Sequence, residues 1–184
     1  YFWSKHKKTN FDWWRKRFKR QFYLVDLLRF DHFRGLAGYW RVKGNSKSAI
    51  CGKWINSPGR TLLNKLKKDL GADYLPIIAE DLGLITEDVE KLRKKFELPG
   101  MKILQFAFDG NEDNPYLPEN IEGENWIVYT GTHDNSTSIS WWENLDKDSK
   151  IRIKEKYKFS ENPSWSLIEI GMKTNANLFI SPIQ

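Results

Sequence analysis

The chain has 184 residues, 40% of them hydrophobic and 15% aromatic, with 9 Trp, 7 Tyr and 11 Phe. That apolar content excludes global disorder, and no run reaches the ~18 apolar residues that a membrane-spanning helix needs. The formal charge is +6, yet residues 1–20 hold eight Lys and Arg against the single acid Asp12, so the remainder sums to −1.

Charge confined to one segment argues against a nucleic-acid binder, whose basic groups would cover a face. The segment reads instead as the solvated side of a helix. A single cysteine, Cys51, allows no internal disulfide and fits a reducing compartment, the cytoplasm by default. The chain opens Tyr1-Phe2-Trp3, with neither Met nor the basic and apolar regions of a signal peptide, which suggests a processed or partial chain. By length alone, one domain is expected.

In chain order, Phe11, Trp14, Phe18 and Phe22 recur at helical spacing and predict an amphipathic helix over 10–23. The short apolar run 24–30 predicts a buried strand, closing on Asp31-His32-Phe33-Arg34-Gly35. Residues 36–58, rich in Gly, Ser, Asn and Trp without a period, read as a long loop. Pro58-Gly59 precedes a helix that Gly71 stops. Residues 74–79 predict a second strand, ending in Glu80-Asp81, and Thr86 is the expected N-cap of a helix over 87–97. Further strands are expected at 102–108 and 126–130, the latter ending in Gly131-Thr132-His133-Asp134-Asn135. Helices are expected around 147–158 and 164–175, and a fifth apolar run begins at Leu178.

Strands that are apolar throughout and joined by helices imply an α/β protein with a parallel sheet covered on both faces. In such sheets ligands and catalytic groups gather past the carboxyl ends of the strands. A flavodoxin-like sheet and a piece of a (β/α)8 barrel both satisfy the pattern. Phosphate-binding glycine motifs, clustered metal ligands and a serine nucleophile elbow are all missing. What stands at the strand ends is carboxylates: Asp31, Glu80 and Asp134.

Two carboxyls opposed across a pocket suit glycosyl transfer, one attacking the sugar and the other protonating the leaving oxygen. Arg29 shares a strand face with Asp31 and is placed to pair with it. The many Trp and Tyr offer apolar platforms for sugar rings. The blander alternatives are that such acids, Asp81 among them, cap helices, and that His32 and His133 are structural. Likewise, the Trp13-Trp14 and Trp141-Trp142 pairs would anchor helices in the core.

Four segments carry a family resemblance: Arg29-Phe30-Asp31-His32-Phe33-Arg34-Gly35, Ile78-Ala79-Glu80-Asp81-Leu82-Gly83, the stretch from Pro99 to Phe108, and Tyr129-Thr130-Gly131-Thr132-His133-Asp134-Asn135. Together with Gly52-Lys53-Trp54 and Ser57-Pro58-Gly59-Arg60, they resemble the 4-alpha-glucanotransferases (amylomaltases, or disproportionating enzymes) of glycoside hydrolase family 77. The resemblance runs from about Trp13 to the end of the chain. It implies a (β/α)8 TIM barrel in which Asp31 is the nucleophile, Glu80 the general acid/base and Asp134 the third carboxylate, which holds sugar hydroxyls. Arg29 and His133 would line the same subsite, with His32 and Asn135 as neighbours. The implied partners are maltooligosaccharides and α-1,4-glucans, with no nucleic acid, membrane, metal or organic cofactor. A plastid replaces the cytoplasm if the source is a photosynthetic eukaryote.

Ser136 departs from the family pattern, in which an acid often follows the HDN triplet. The larger departure is length. Residues 1–184 match only about strands 4–8 of the barrel, without the N-terminal strands and closing part, so a fragment inactive alone is expected. The rival readings are a glucan-binding module without turnover and a related α-glucan hydrolase.

Overall fold

The computed structural model describes residues 1–83 and 85–183; Leu84 and Gln184 lie outside them. The chain divides into two compact units, Tyr1–Gly100 and Met101–Gln184.

In the first unit, α1 (Trp3–Lys8) and α2 (Asp12–Leu24) are separate helices. Asn10 and Phe11, both at positive φ, break the basic segment between them. The aromatic stripe behaves as its spacing demands: Phe11, Trp14 and Phe18 are buried while Lys16 and Arg17 between them are exposed. Trp14 enters the core, whereas Trp13 stays 44% exposed. Because α2 continues through Leu24, the strand that follows, β1, is only Leu28–Phe30, shorter than the apolar run suggested.

The expected loop is largely ordered. After α3 (Arg34–Ala37), β2 (Gly38–Val42) and β3 (Gly52–Asn56) form an antiparallel hairpin in which Trp40 stands opposite Trp54. The sheets are therefore mixed rather than wholly parallel. Helix α4 (Gly59–Leu70) supplies Leu62, Leu63 and Leu66 to the core, and it ends at Gly71, whose φ of +61° is the left-handed C-cap that glycine accepts at least cost. Strand β4 (Ile77–Ala79), buried throughout, pairs in parallel with β1 in the register Leu28↔Ile77, Arg29↔Ile78, Phe30↔Ala79. Helix α5 (Glu87–Lys95) follows. Thr86 does sit at its N-cap position, but its hydroxyl bonds the Asp88 carboxylate and accepts from Arg34 instead of capping a backbone amide.

The second unit is built on β5 (Gly100–Ile103), β6 (Trp126–Tyr129) and β7 (Leu178–Ile180), in the order β5-β6-β7 with β6 and β7 parallel. The apolar run after β5 turns into a 3₁₀ turn at Leu104–Phe106 rather than continuing as strand. A second 3₁₀ turn occupies Pro118–Asn120. Helix α6 (Ser138–Asn144), which carries the Trp141-Trp142 pair, precedes α7 (Lys147–Tyr157) and α8 (Pro163–Met172). Leu104, Phe108, Val128, Ile153, Phe159 and Leu167 form the core of this unit, with Trp141 and Trp142 packed against it. Gly171 lets α8 close on the Phe179 ring, which any Cβ would strike.

Candidate active site

The site in the first unit follows from the β1–β4 register. Since Phe30 lies beside Ala79, the next residues, Asp31 and Glu80, leave the sheet from neighbouring parallel strands. The ladder extends one step further, as the Glu80 N–H donates to the Phe30 carbonyl at 3.1 Å. The side chain of Asp31 is 74% exposed, and Oδ1 accepts from Arg29 Nη2 at 2.8 Å. Arg29 and Asp31 line a cleft of about 390 Å3 whose apolar wall includes Trp14, Phe18 and Phe30.

Glu80 is half-buried, and two backbone amides hold its carboxylate. Oε2 accepts from the His32 N–H at 2.8 Å, and Oε1 from the Leu82 N–H at 3.2 Å. His32 reaches this position with a φ of +48°, a left-handed conformation uncommon outside glycine. The Phe33 N–H donates in turn to the Glu80 carbonyl at 3.1 Å. Thus the turn carrying Asp31 directly holds the carboxylate of Glu80. The β1–β4 register brings Arg29, Asp31, His32 and Glu80 together, with His32 acting here through its backbone.

Asp81 is no helix cap. Its carboxylate pairs with Arg93 of α5 at 3.0 Å, both side chains nearly enclosed.

In the second unit, the loop after β6 carries His133, Asp134 and Asn135. Asn135 Oδ1 accepts from both the N–H and the hydroxyl of Thr132, at 2.8 and 2.9 Å, and this closes the loop. His133 Nε2 and Asp134 Oδ2 lie 3.4 Å apart on the surface, each more than 70% exposed. Behind them Gln105 Nε2 donates to the Ser136 carbonyl at 3.0 Å, while the Gln105 carbonyl accepts from Trp141 Nε1 at 3.2 Å. Gln105, Thr132, Asn135 and Ser136 line a cleft of about 320 Å3. Gln105 went unremarked in the sequence; its one signal was an amide side chain inside an otherwise apolar run. Among the described residues no cluster of three or more His, Cys, Asp or Glu side chains could hold a metal ion.

Comparison with known proteins matches residues 1–184 to the glycoside hydrolase family 77 model, described as 4-alpha-glucanotransferase. The chain belongs to this family. It is 45% identical over 186 residues to the 4-alpha-glucanotransferase of Synechocystis sp., covering 100% of this chain and 37% of that protein. The Thermus thermophilus 4-alpha-glucanotransferase is 38% identical over 192 residues, with 100% of this chain and 38% of its own length covered. A plant member, the chloroplastic/amyloplastic 4-alpha-glucanotransferase of Arabidopsis thaliana, is 42% identical, with 100% of this chain and 32% of its own length covered.

Among solved structures, an amylomaltase from Streptococcus agalactiae in complex with acarbose superposes with a TM-score of 0.91 at 36% identity, covering 100% of this chain and 37% of its own. The chain therefore spans about a third of the length of these 4-alpha-glucanotransferase relatives.

Proposed function

We propose that the protein carrying this chain is a retaining 4-alpha-glucanotransferase, moving α-1,4-glucan segments to the 4-hydroxyl of glucose or another glucan. The observation that carries the reading is the pairing of Asp31 with Glu80 at the ends of adjacent parallel strands, one acid salt-bridged and the other held by backbone amides. Neighbouring strands stand ~4.8 Å apart, which favours the ~5–5.5 Å carboxyl separation of retaining enzymes over the wider, water-bearing gap of inverting ones.

In this mechanism Asp31 attacks the anomeric carbon while Glu80 gives its proton to the departing glycosidic oxygen, leaving a covalent glucosyl-enzyme. Deprotonated Glu80 then takes the proton of the acceptor 4-hydroxyl, whose oxygen attacks the same carbon and frees Asp31. Arg29 orients Asp31. Asp134 and His133 serve as hydroxyl ligands of the reacting sugar, while Asn135 and His32 shape the loops that carry them. Maltooligosaccharides and α-1,4-glucans are uncharged, in keeping with a chain whose positive excess is confined to residues 1–20. The cytoplasm, or a plastid in a photosynthetic eukaryote, is the proposed location.

Residues 1–184 are proposed to supply about strands 4–8 of a (β/α)8 barrel, a reading supported by the TM-score and the share of the Streptococcus agalactiae structure matched. The test of function is incubation of the full-length protein with maltotriose and isotope-labelled glucose. Labelled maltooligosaccharides are the expected product; release of glucose to water without incorporation of label would overturn transfer in favour of hydrolysis.

A further inference from the structure

We propose that Asp81 and Arg93 are positioning residues whose ion pair sets the reach of the Glu80 carboxyl toward the leaving oxygen; this rests on the acid/base reading of Glu80 above. Arg93 Nε and Asp81 Oδ2 are 3.0 Å apart, with side chains 6% and 7% exposed. Burying two charges costs desolvation that their attraction commonly fails to repay, so such a pair is a poor source of stability. Its position one residue beyond Glu80 gives it another use.

The guanidinium makes two contacts close to Glu80 in the fold. One arm holds Asp81, the residue after Glu80. Another, Nη1, donates to the Leu98 carbonyl at 3.1 Å. The next carbonyl along, that of Pro99, accepts from the N–H of Ala79, the residue before Glu80, at 2.9 Å. From α5, a single planar fork thus pairs with the side chain that follows Glu80 and holds the carbonyl next to the one that bonds Ala79. Between these anchors the Leu82 and His32 amides grip the carboxylate. Lysine at 93 would keep the charge but not the fork, and so would lose one of the two holds.

A displaced general acid fails most where the leaving group needs its proton. A sugar oxygen needs it; fluoride departs without it. Full-length Asp81→Asn and Arg93→Lys are therefore compared with wild type on maltotriose and, in the first turnover, on α-maltosyl fluoride. Asp81→Asn is expected to lower kcat on maltotriose about tenfold or more, with KM and first-turnover fluoride release changed by no more than about threefold. Arg93→Lys should show the same split at smaller amplitude. The buried-core variant Leu63→Ala, matched for loss of thermal stability, should show no such split between donors.

Equal losses on both donors, or normal turnover on maltotriose beside an impaired Glu80→Gln, would overturn the positioning role alone. Normal turnover by Glu80→Gln itself would overturn the acid/base reading, and this proposal with it.

Discussion

At the scale of single residues, Asp31, the proposed nucleophile, contributes little to the fold. Asp31 is largely exposed, and its bridge to Arg29 contributes only about 0–1 kcal/mol at such a site. Asp31→Asn in the full-length protein is therefore expected to cut transfer by at least about 10³-fold while leaving the melting temperature within about 2 °C. Maltotriose disproportionation alongside a thermal melt checks both halves. His32 behaves differently, since its backbone at φ +48° delivers the amide that binds Glu80. A β-branched residue resists that conformation and glycine does not, so His32→Val should be less stable than His32→Gly by about 1–2 kcal/mol, read from denaturant midpoints.

At the scale of elements, two ends in the second unit are held by identifiable groups. The Asn162 side chain caps α8, accepting from the Ser164 and Trp165 amides at 3.0 and 3.3 Å. Asn162→Ala should cost about 1 kcal/mol, measured by thermal or denaturant unfolding. Glu119 ties the Pro118–Asn120 turn to α7: Lys156 Nζ lies 2.6 Å and the Tyr157 hydroxyl 2.9 Å from Oε1. Burial alone would raise its pKa, but the bonds from Lys156 and Tyr157 outweigh burial and hold the carboxyl below its ordinary 4.5. A depressed folded-state value stabilises fully above the unfolded value, and that increment is lost as pH falls through the folded one. The stability gap between wild type and Glu119→Gln should therefore be largest near neutrality and shrink below pH 4.5. A gap that widens in acid would contradict the assignment.

The same elements show what was legible beforehand. Helices α2 and α4 could be read because an apolar stripe at helical spacing, or a glycine stop, is a local signal. The β2–β3 hairpin could not, because its register rests on Trp40 meeting Trp54 across thirteen intervening residues without a period. Strand β1 starts later than its apolar run because such a run at a helix–strand junction fits either element, and here its first residue completes α2. The acids at the strand ends were legible in position and type. Arg29, the partner of Asp31, was legible from its place on the same strand face, but the His32 and Leu82 amides that hold Glu80, and the contacts of Arg93 and Gln105, were not, because they depend on backbone geometry or on partners distant in sequence.

At the scale of the molecule, each unit closes its own apolar core, yet the chain matches only 37% of the length of the Synechocystis relative. The isolated 184-residue chain is expected to give no detectable disproportionation of maltotriose under conditions in which the full-length protein turns over; appreciable activity would contradict the reading of residues 1–184 as part of a larger barrel. The central claim is that Asp31 carries the glycosyl group. Full-length Glu80→Gln, given α-maltosyl fluoride, can load the nucleophile but lacks the base that unloads it, so the adduct should accumulate. Proteolysis and mass spectrometry should then find maltosyl on the peptide containing Asp31. An adduct mapped to any other residue would contradict the account, as would fluoride release with inverted product and no adduct.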